Sequence, residues 1–81
     1  GKVFDTTLKV SAFDRKNLLA DIINILNTCN VTIASVTLNK NRNGECIVKF
    51  KLQVANLIDL NNTILNLNKM SEIYDIERIF K

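Results

Sequence analysis

The sequence predicts an α+β fold, a ferredoxin-like βαββαβ two-layer sandwich in which a four-stranded antiparallel sheet carries two helices on one face. Segments with the period of a strand and the period of a helix follow one another along the chain in that order. The chain has 81 residues, of which 47% are hydrophobic and 23% charged, so we expect one domain with a small core. Right-handed crossovers then place both helices on the same face of the sheet.

The first strand and the first helix lie in the N-terminal part of the chain. Residues 3–10 alternate between apolar and polar side chains, which predicts a half-buried strand. The alternation then stops, and we expect Asp14 to cap the helix because its carboxylate can accept hydrogen bonds from free helix amides. The helix is predicted over residues 17–30, and Asn30 is expected to end it in the left-handed conformation. Its apolar stripe consists of Leu18, Ile22, Ile25 and Cys29, widened by Leu19, Ile23 and Leu26.

The second and third strands are predicted to form a hairpin. Residues 31–38 are rich in β-branched side chains, and their alternation slips near Ser35, which predicts a β-bulge. Residues 39–44 form the turn, where Gly44 tolerates the positive φ that a tight reversal requires. Residues 45–55 have the cleanest alternation in the chain, which is typical of a strand with one covered face. The inward positions of this strand are Cys46, Val48, Phe50, Leu52 and Val54.

The second helix and the last strand complete the predicted fold. Asn56 is expected to cap the helix. The helix presents an apolar stripe made of Leu57, Leu60, Ile64 and Leu67. Residues 71–80 are predicted to form the last strand. Their apolar residues do not all fall on one face of a regular strand, so we expect a second bulge or burial on both faces.

The composition excludes most classes of enzyme. The chain has no His, which rules out a Ser–His or Cys–His nucleophile and a His metal site, and its two glycines cannot form a Gly-rich phosphate loop. Cys29 and Cys46 are too few for a structural zinc site, so we expect free buried thiols in a reducing, cytoplasmic compartment. We therefore expect no catalytic residue, no metal and no cofactor. No stretch of the sequence approaches the roughly 20 apolar residues that cross a bilayer.

The charge pattern indicates a mildly basic sheet face. The net charge of +3 permits a surface that contacts RNA without requiring one. Lys9, Lys49 and Lys51 point outward from two strands that are central neighbours in this fold, and they are expected to be solvated or to contact RNA phosphates or another domain. RNA-recognition motifs stack bases on aromatic side chains of these strands. We expect none at the outward positions here, which argues against RNA recognition by base stacking.

The segment before the first helix resembles a known family. Residues 13–22 read FDRKNLLADI, which is similar to the DRxGLLxDI signature of ACT domains, small regulatory modules of amino-acid metabolism. With Asp21 and an ending of IERI at residues 76–79, the chain most resembles the C-terminal ACT domain of RelA/SpoT-type enzymes, which make and degrade guanosine tetra- and pentaphosphate, (p)ppGpp. The resemblance implies that residues 1–81 form one non-catalytic regulatory domain, excised from a longer GTP pyrophosphokinase of the stringent response.

The resemblance also implies a ligand site at the start of the first helix. The candidate ligand-binding residues are Asp14, Arg15, Lys16, Asn17 and Leu18. Arg15 and Lys16 oppose the helix dipole, which weakly indicates an anionic partner. The family usually has Gly where this chain has Asn17, and in amino-acid-binding ACT domains that Gly lets the ligand approach the helix. Asn17 adds a side chain at that position, which argues against an amino-acid ligand, although its amide can hydrogen-bond one. An amino-acid-binding ACT domain of a biosynthetic enzyme, or a free-standing regulator, is the alternative, and a small enzyme that uses Arg15 is a third hypothesis.

The second strand is expected at a sheet edge, where an apolar run risks aggregation unless it is covered. Pairing with the same strand of a second copy would give a two-fold dimer, an arrangement that the resemblance to ACT domains also implies. The candidate residues of this dimer edge are Val31, Ile33, Ser35 and Val36. The other expected partners are further domains of the parent enzyme, deacylated tRNA and the ribosome, and a small amino-acid effector. We expect no membrane and no DNA partner.

Overall fold

Six elements follow one another in the predicted order in a computed structural model, which describes residues 2–79. They are β1 (Phe4–Phe13), α1 (Leu18–Thr28), β2 (Thr32–Lys40), β3 (Glu45–Val54), α2 (Leu57–Leu67) and β4 (Ile73–Ile79). The strands form one antiparallel sheet in the order β2-β3-β1-β4. The predicted ferredoxin-like sandwich is thus confirmed. Phe80, which was predicted to lie in the last strand, is outside the described residues.

The core lies between the sheet and the two helices. The five inward residues of β3 are buried, as their alternation predicts, together with Leu18, Ile22 and Leu26 of α1. The predicted burial of Leu57 in α2 is wrong, since that side chain is 55% exposed. The buried residues of α2 are Leu60, Thr63 and Leu67. These three positions define a buried face of the helix that is rotated from the predicted stripe and does not include Leu57.

β1 is longer than predicted. It continues to Phe13, and the consecutive small residues Ser11 and Ala12 are buried because β1 is paired on both sides, with β3 and with β4. The strand alternation then places Phe13 on the sheet face turned away from the helices, which we call the open face. Its cross-strand neighbour there is Glu45. The prediction that the open face lacks aromatic side chains is therefore wrong.

Both predicted irregularities of the strands are confirmed as register shifts. In the β2–β3 pair the register shifts between Ile33 and Ser35. In the β1–β4 pair Ser11 lies opposite Asp75 but Ala12 lies opposite Ile73, so that Tyr74 is an extra residue in β4.

The structure confirms the prediction at two of the three helix ends for which the sequence made one, and also at the hairpin turn. Asn56 caps α2, because its side-chain oxygen accepts a hydrogen bond from the Asp59 amide at 2.8 Å. Asn30 follows α1 with a φ of 59°, which confirms the left-handed ending. Gly44 has a φ of 77° in the β2–β3 hairpin. The third helix end, the start of α1, differs from the prediction and belongs to the candidate site. Neither helix within residues 2–79 is long and apolar enough to span a membrane.

Candidate functional site

The β1–α1 loop, residues 14–17, is fixed at its start by two backbone hydrogen bonds. The Phe13 amide donates to the carbonyl of Glu72 at 2.9 Å, and the Asp14 amide donates to the carbonyl of Gly44 at 2.8 Å. The first bond joins the loop to the α2–β4 connection and the second joins it to the β2–β3 hairpin. The end of β1 and the first residue of the loop are thus bonded to both of these segments.

The start of α1 differs from the predicted cap. The N-cap residue is Asn17 rather than Asp14, and no side chain caps the helix. The Asp14 carboxylate instead lies 3.3 Å from Nζ of Lys40. Asn17 has a φ of 66° and a ψ of 12°, which is the left-handed region. Gly adopts this region without steric strain, and Asn adopts it more readily than most other residues. The backbone conformation thus explains why Asn can stand where the ACT signature has Gly.

Arg15 is the most connected side chain of the loop. Its Nε donates to Oε2 of Glu72 at 2.5 Å, and its Nη2 donates to Oδ2 of Asp21 at 2.8 Å. Its Nη1 donates to the carbonyl of Lys16 at 2.9 Å. We call Arg15, Asp21 and Glu72 the Arg15 network. It joins the loop to the first turn of α1 and to the residue that precedes β4.

The hydrogen bonds of the Arg15 network favour the charged forms of Arg15 and Glu72. The hydrogen bonds to Glu72 and then to Asp21 raise the pKa of Arg15 above its ordinary value. The hydrogen bond from Arg15 lowers the pKa of Glu72. An anionic ligand that binds the guanidinium would therefore have to replace a carboxylate that is already bound there.

The remaining candidate residues of the loop divide into one anchor and two exposed groups. Leu18 is 3% exposed and belongs to the core, so its side chain anchors the start of α1 and does not face a ligand. Lys16 and Asn17 are exposed, and within residues 2–79 neither side chain makes a hydrogen bond or an ion pair. These two side chains are available to a ligand at the start of α1.

The three candidate lysines come together on the open face. Lys9 of β1 lies directly opposite Lys49 of β3, and Lys51 follows two positions along the same face. We call these residues the lysine stripe. Nζ of Lys9 lies 3.9 Å from Oε1 of Glu77 on β4, whereas Lys49 and Lys51 make no ion pair with another described residue. An acidic side chain thus borders one side of the stripe.

A groove of about 400 Å³ lies at the end of the open face that is far from the β1–α1 loop. It is lined by Asp5, Thr6, Thr7, Ala34, Lys51, Leu52, Gln53 and Ile79. Sequence reasoning missed the groove because the strand register brings these positions together from four separate segments. The groove contains the end of the lysine stripe.

Three of the four candidate residues of the dimer edge lie in β2, and Val31 precedes that strand. β2 is an edge strand of the sheet, and Val36 and Leu38 on its helix side are 37% and 38% exposed. Val31 and Ile33 are half-buried against the core, and Ser35 is exposed at the bulge. Dimerisation through this edge stays a prediction.

Two exposed aromatic rings at the end of the open face were missed by sequence reasoning. Phe13 and Tyr74 are 52% and 50% exposed, and their ring centroids are 4.9 Å apart at an interplanar angle of 44°. No local signal marked Phe13, because the apolar and polar alternation stops after Val10 and the pairing with β3 and β4 extends β1 to residue 13. Tyr74 could not be placed because its position depends on the bulge in β4.

The described residues contain little else that could support catalysis or metal binding. Cys29 and Cys46 are both free and buried, and burial raises the pKa of the Cys46 thiol. Within residues 2–79 no group of three or more Cys, Asp or Glu side chains is arranged to hold a metal ion.

Comparison with known proteins identifies similar domains. The sequence model of the ACT domain family matches residues 1–78. The crystal structure of the ACT domain from GTP pyrophosphokinase of Chlorobium tepidum has a TM-score of 0.84 at 18% identity, and the match covers 96% of this chain and 100% of that one. A homoserine dehydrogenase from Thiobacillus denitrificans has a TM-score of 0.81 at 20% identity, over 95% of this chain and 17% of that one. The C-terminal domain of the MgtC protein from Mycobacterium tuberculosis has a TM-score of 0.78 at 10% identity, over 95% of this chain and 86% of that one.

Proposed function

This chain belongs to the ACT domain family, and from that premise we propose that it is the non-catalytic regulatory domain of a bifunctional (p)ppGpp synthetase and hydrolase. The observation that carries the proposal is the Arg15 network, which joins the β1–α1 loop to α1 and to the start of β4. The similarity of the fold to the ACT domain of a GTP pyrophosphokinase supports this choice of parent enzyme. In that setting the domain takes part in the stringent response.

The loop gives the domain a way to transmit a binding event. A molecule that contacts Lys16 or Asn17 lies beside Arg15, whose bonds reach Asp21 in α1 and Glu72 before β4. A contact that favours one arrangement of these bonds shifts the positions of two elements together. Coupling between distant sites typically amounts to about 1–3 kcal/mol, which a few exchanged hydrogen bonds can supply.

Two further surfaces extend the proposal to macromolecular partners. The lysine stripe supplies cations for the phosphates of deacylated tRNA or ribosomal RNA, since Lys49 and Lys51 are exposed. The edge of β2 supplies backbone groups for pairing with a second copy, and Val36 adds apolar surface beside them. Other domains of the parent enzyme are alternative partners for either surface.

Domain exchange in the parent enzyme tests the proposal. Synthesis and hydrolysis of (p)ppGpp are measured with and without deacylated tRNA, first for the parent enzyme and then after this domain is replaced by an ACT domain from an unrelated biosynthetic enzyme. We expect both basal activities to survive and the response to tRNA to be lost. An unchanged response would contradict the proposal.

The second candidate function is amino-acid binding, in a biosynthetic enzyme or a free-standing regulator. It is favoured by the exposed Asn17 side chain, whose amide has no partner within residues 2–79, and by the similarity of the fold to part of a homoserine dehydrogenase. Calorimetric titration with a panel of amino acids distinguishes the two functions. Saturable binding that is weakened by Asn17→Ala would support the second candidate, and absence of binding across the panel would favour the first.

A further inference from the structure

Phe13 and Tyr74 form an exposed aromatic pair at the end of the open face nearest the β1–α1 loop. Each ring is about half exposed, and their centroids are 4.9 Å apart. Phe13 reaches this place as the last residue of β1, and Tyr74 reaches it as the extra residue of the β4 bulge. Large aromatic side chains that contact each other yet stay half exposed present ring surface to a partner.

Two carboxylates border this aromatic pair. Glu45 lies directly opposite Phe13 in the β1–β3 register, and Asp75 directly follows Tyr74 and lies opposite Ser11. One Glu45 oxygen accepts a hydrogen bond from the Asn41 side chain at 3.1 Å. Neither carboxylate forms an ion pair with another described residue. Partial desolvation, then the charges of Glu45, Cys46 and Asp75, raise the pKa of Tyr74, in accord with the closeness of these groups.

Two cations on neighbouring segments are paired with other carboxylates. Arg15 is held by Glu72 and Asp21, and Lys40 lies beside Asp14. The two carboxylates at the aromatic pair have no ion-pair partner among the described residues, although the chain as a whole has a net charge of +3. The charge of this small region is opposite to that of the lysine stripe on the same face.

Aromatic rings and carboxylates together are the chemistry that recognises a cation. The face of a phenyl or phenol ring attracts a positive charge through its quadrupole, and a carboxylate adds a direct ionic contact. A guanidinium fits this combination better than an ammonium, because it is planar, stacks on rings and donates two parallel hydrogen bonds to a carboxylate. We propose that Phe13, Glu45, Tyr74 and Asp75 form a docking surface for an arginine side chain carried by a partner protein segment.

The intrinsic fluorescence of Tyr74 tests this proposal directly, because the chain has one tyrosine and no tryptophan. The protein is titrated with N-acetyl-arginine amide, and with the corresponding lysine and alanine amides as comparison probes. We expect a saturable change with the arginine probe in the millimolar range, a response at least about threefold weaker with the lysine probe, and none with the alanine probe. A response of equal affinity with all three probes, or no saturable response to arginine, would overturn the proposal.

Charge-neutral variants locate the binding on the protein. The double variant Glu45→Gln, Asp75→Asn is expected to weaken arginine binding about fivefold or more while it keeps both rings and the shape of the surface. Glu77→Gln is the matched control, because it removes one carboxylate from the same face beside Lys9. All variants are compared by circular dichroism to confirm that they are folded. An arginine affinity that is the same in the double variant and in the control would contradict the assigned residues.

Discussion

The two helices begin with the same dipeptide, Asn-Leu, and the two starts are built in opposite ways. Asn56 has an extended backbone and caps α2 with its own side chain, and the Leu57 that follows is mostly exposed. Asn17 has a left-handed backbone and no capping bond, and the Leu18 that follows is buried. The start of α2 is thus stabilised by local bonds, whereas the start of α1 is held by tertiary contacts and keeps its polar groups exposed. Such departures from local rules are typical of binding sites.

The largest difference between the two starts is expected at the leucines. Leu18→Ala should lower the free energy of unfolding by about 3 kcal/mol, because it removes a buried side chain and leaves a cavity. Leu57→Ala should change it by no more than about 0.5 kcal/mol, because the side chain is largely exposed. Denaturant unfolding of the two variants measures both values. Equal losses would show that the two helix starts are packed alike.

The capping asparagine of α2 should have the next largest effect. Asn56→Ala removes the acceptor for the Asp59 amide and should cost about 1 kcal/mol of unfolding free energy. Asn56→Gly should cost only a few tenths of a kcal/mol, because glycine is itself tolerated at this position. Denaturant midpoints of the two variants test this order. If alanine and glycine had the same effect, the capping bond would not be the source of stability.

Substitutions at Asn17 should depend on backbone conformation rather than on a capping bond. Asn17→Ala should cost about 1 kcal/mol, because alanine is strained at a φ of 66°. Asn17→Gly should leave the unfolding free energy within about 0.5 kcal/mol, or raise it slightly, because glycine adopts this φ freely. Thermal unfolding compares the two. A glycine variant as unstable as the alanine variant would contradict the conformational explanation.

The smallest expected effect on stability is the pH dependence that the Arg15 network introduces. The pKa of Glu72 is lower in the folded chain than its ordinary value. The stability that this shift contributes is therefore present above the ordinary pKa, and it is lost as the pH falls through the lowered one. We expect the melting temperatures of the original chain and of Glu72→Gln to differ most near neutral pH and to converge in acid. Asp59→Asn, at the start of α2, is the comparison variant. Melting temperatures that stay equally far apart at every pH would contradict this role of Glu72.

The sequence predicted the fold well wherever local pattern decides the structure. The clean alternation of β3, the cap at Asn56 and the left-handed Asn30 all depend on neighbours a few residues away, and all three are confirmed. The end of β1 was misplaced, because Ser11 and Ala12 resemble loop residues and only their pairing with two other strands buries them.

The candidate site was predicted only in part, because some of its contacts join residues that are far apart in the sequence. The loop residues were found from their resemblance to a signature. The Arg15–Glu72 bond joins residues that are 57 positions apart, and no local pattern marks it. The Phe13–Tyr74 contact likewise depends on a bulge whose place is set by the sheet register. Contacts of this kind become visible only when the chain is folded.

One pair of variants in the proposed parent enzyme tests the central claim, that the start of α1 serves regulation and the start of α2 serves stability. The ratio of (p)ppGpp synthesis to hydrolysis is measured with and without deacylated tRNA for Arg15→Ala and for Asn56→Ala. We expect Arg15→Ala to reduce the response to tRNA by about fivefold or more, as the loss of about 1 kcal/mol of coupling would, while Asn56→Ala responds normally. A normal response in Arg15→Ala, or an equal loss in both variants, would contradict the account.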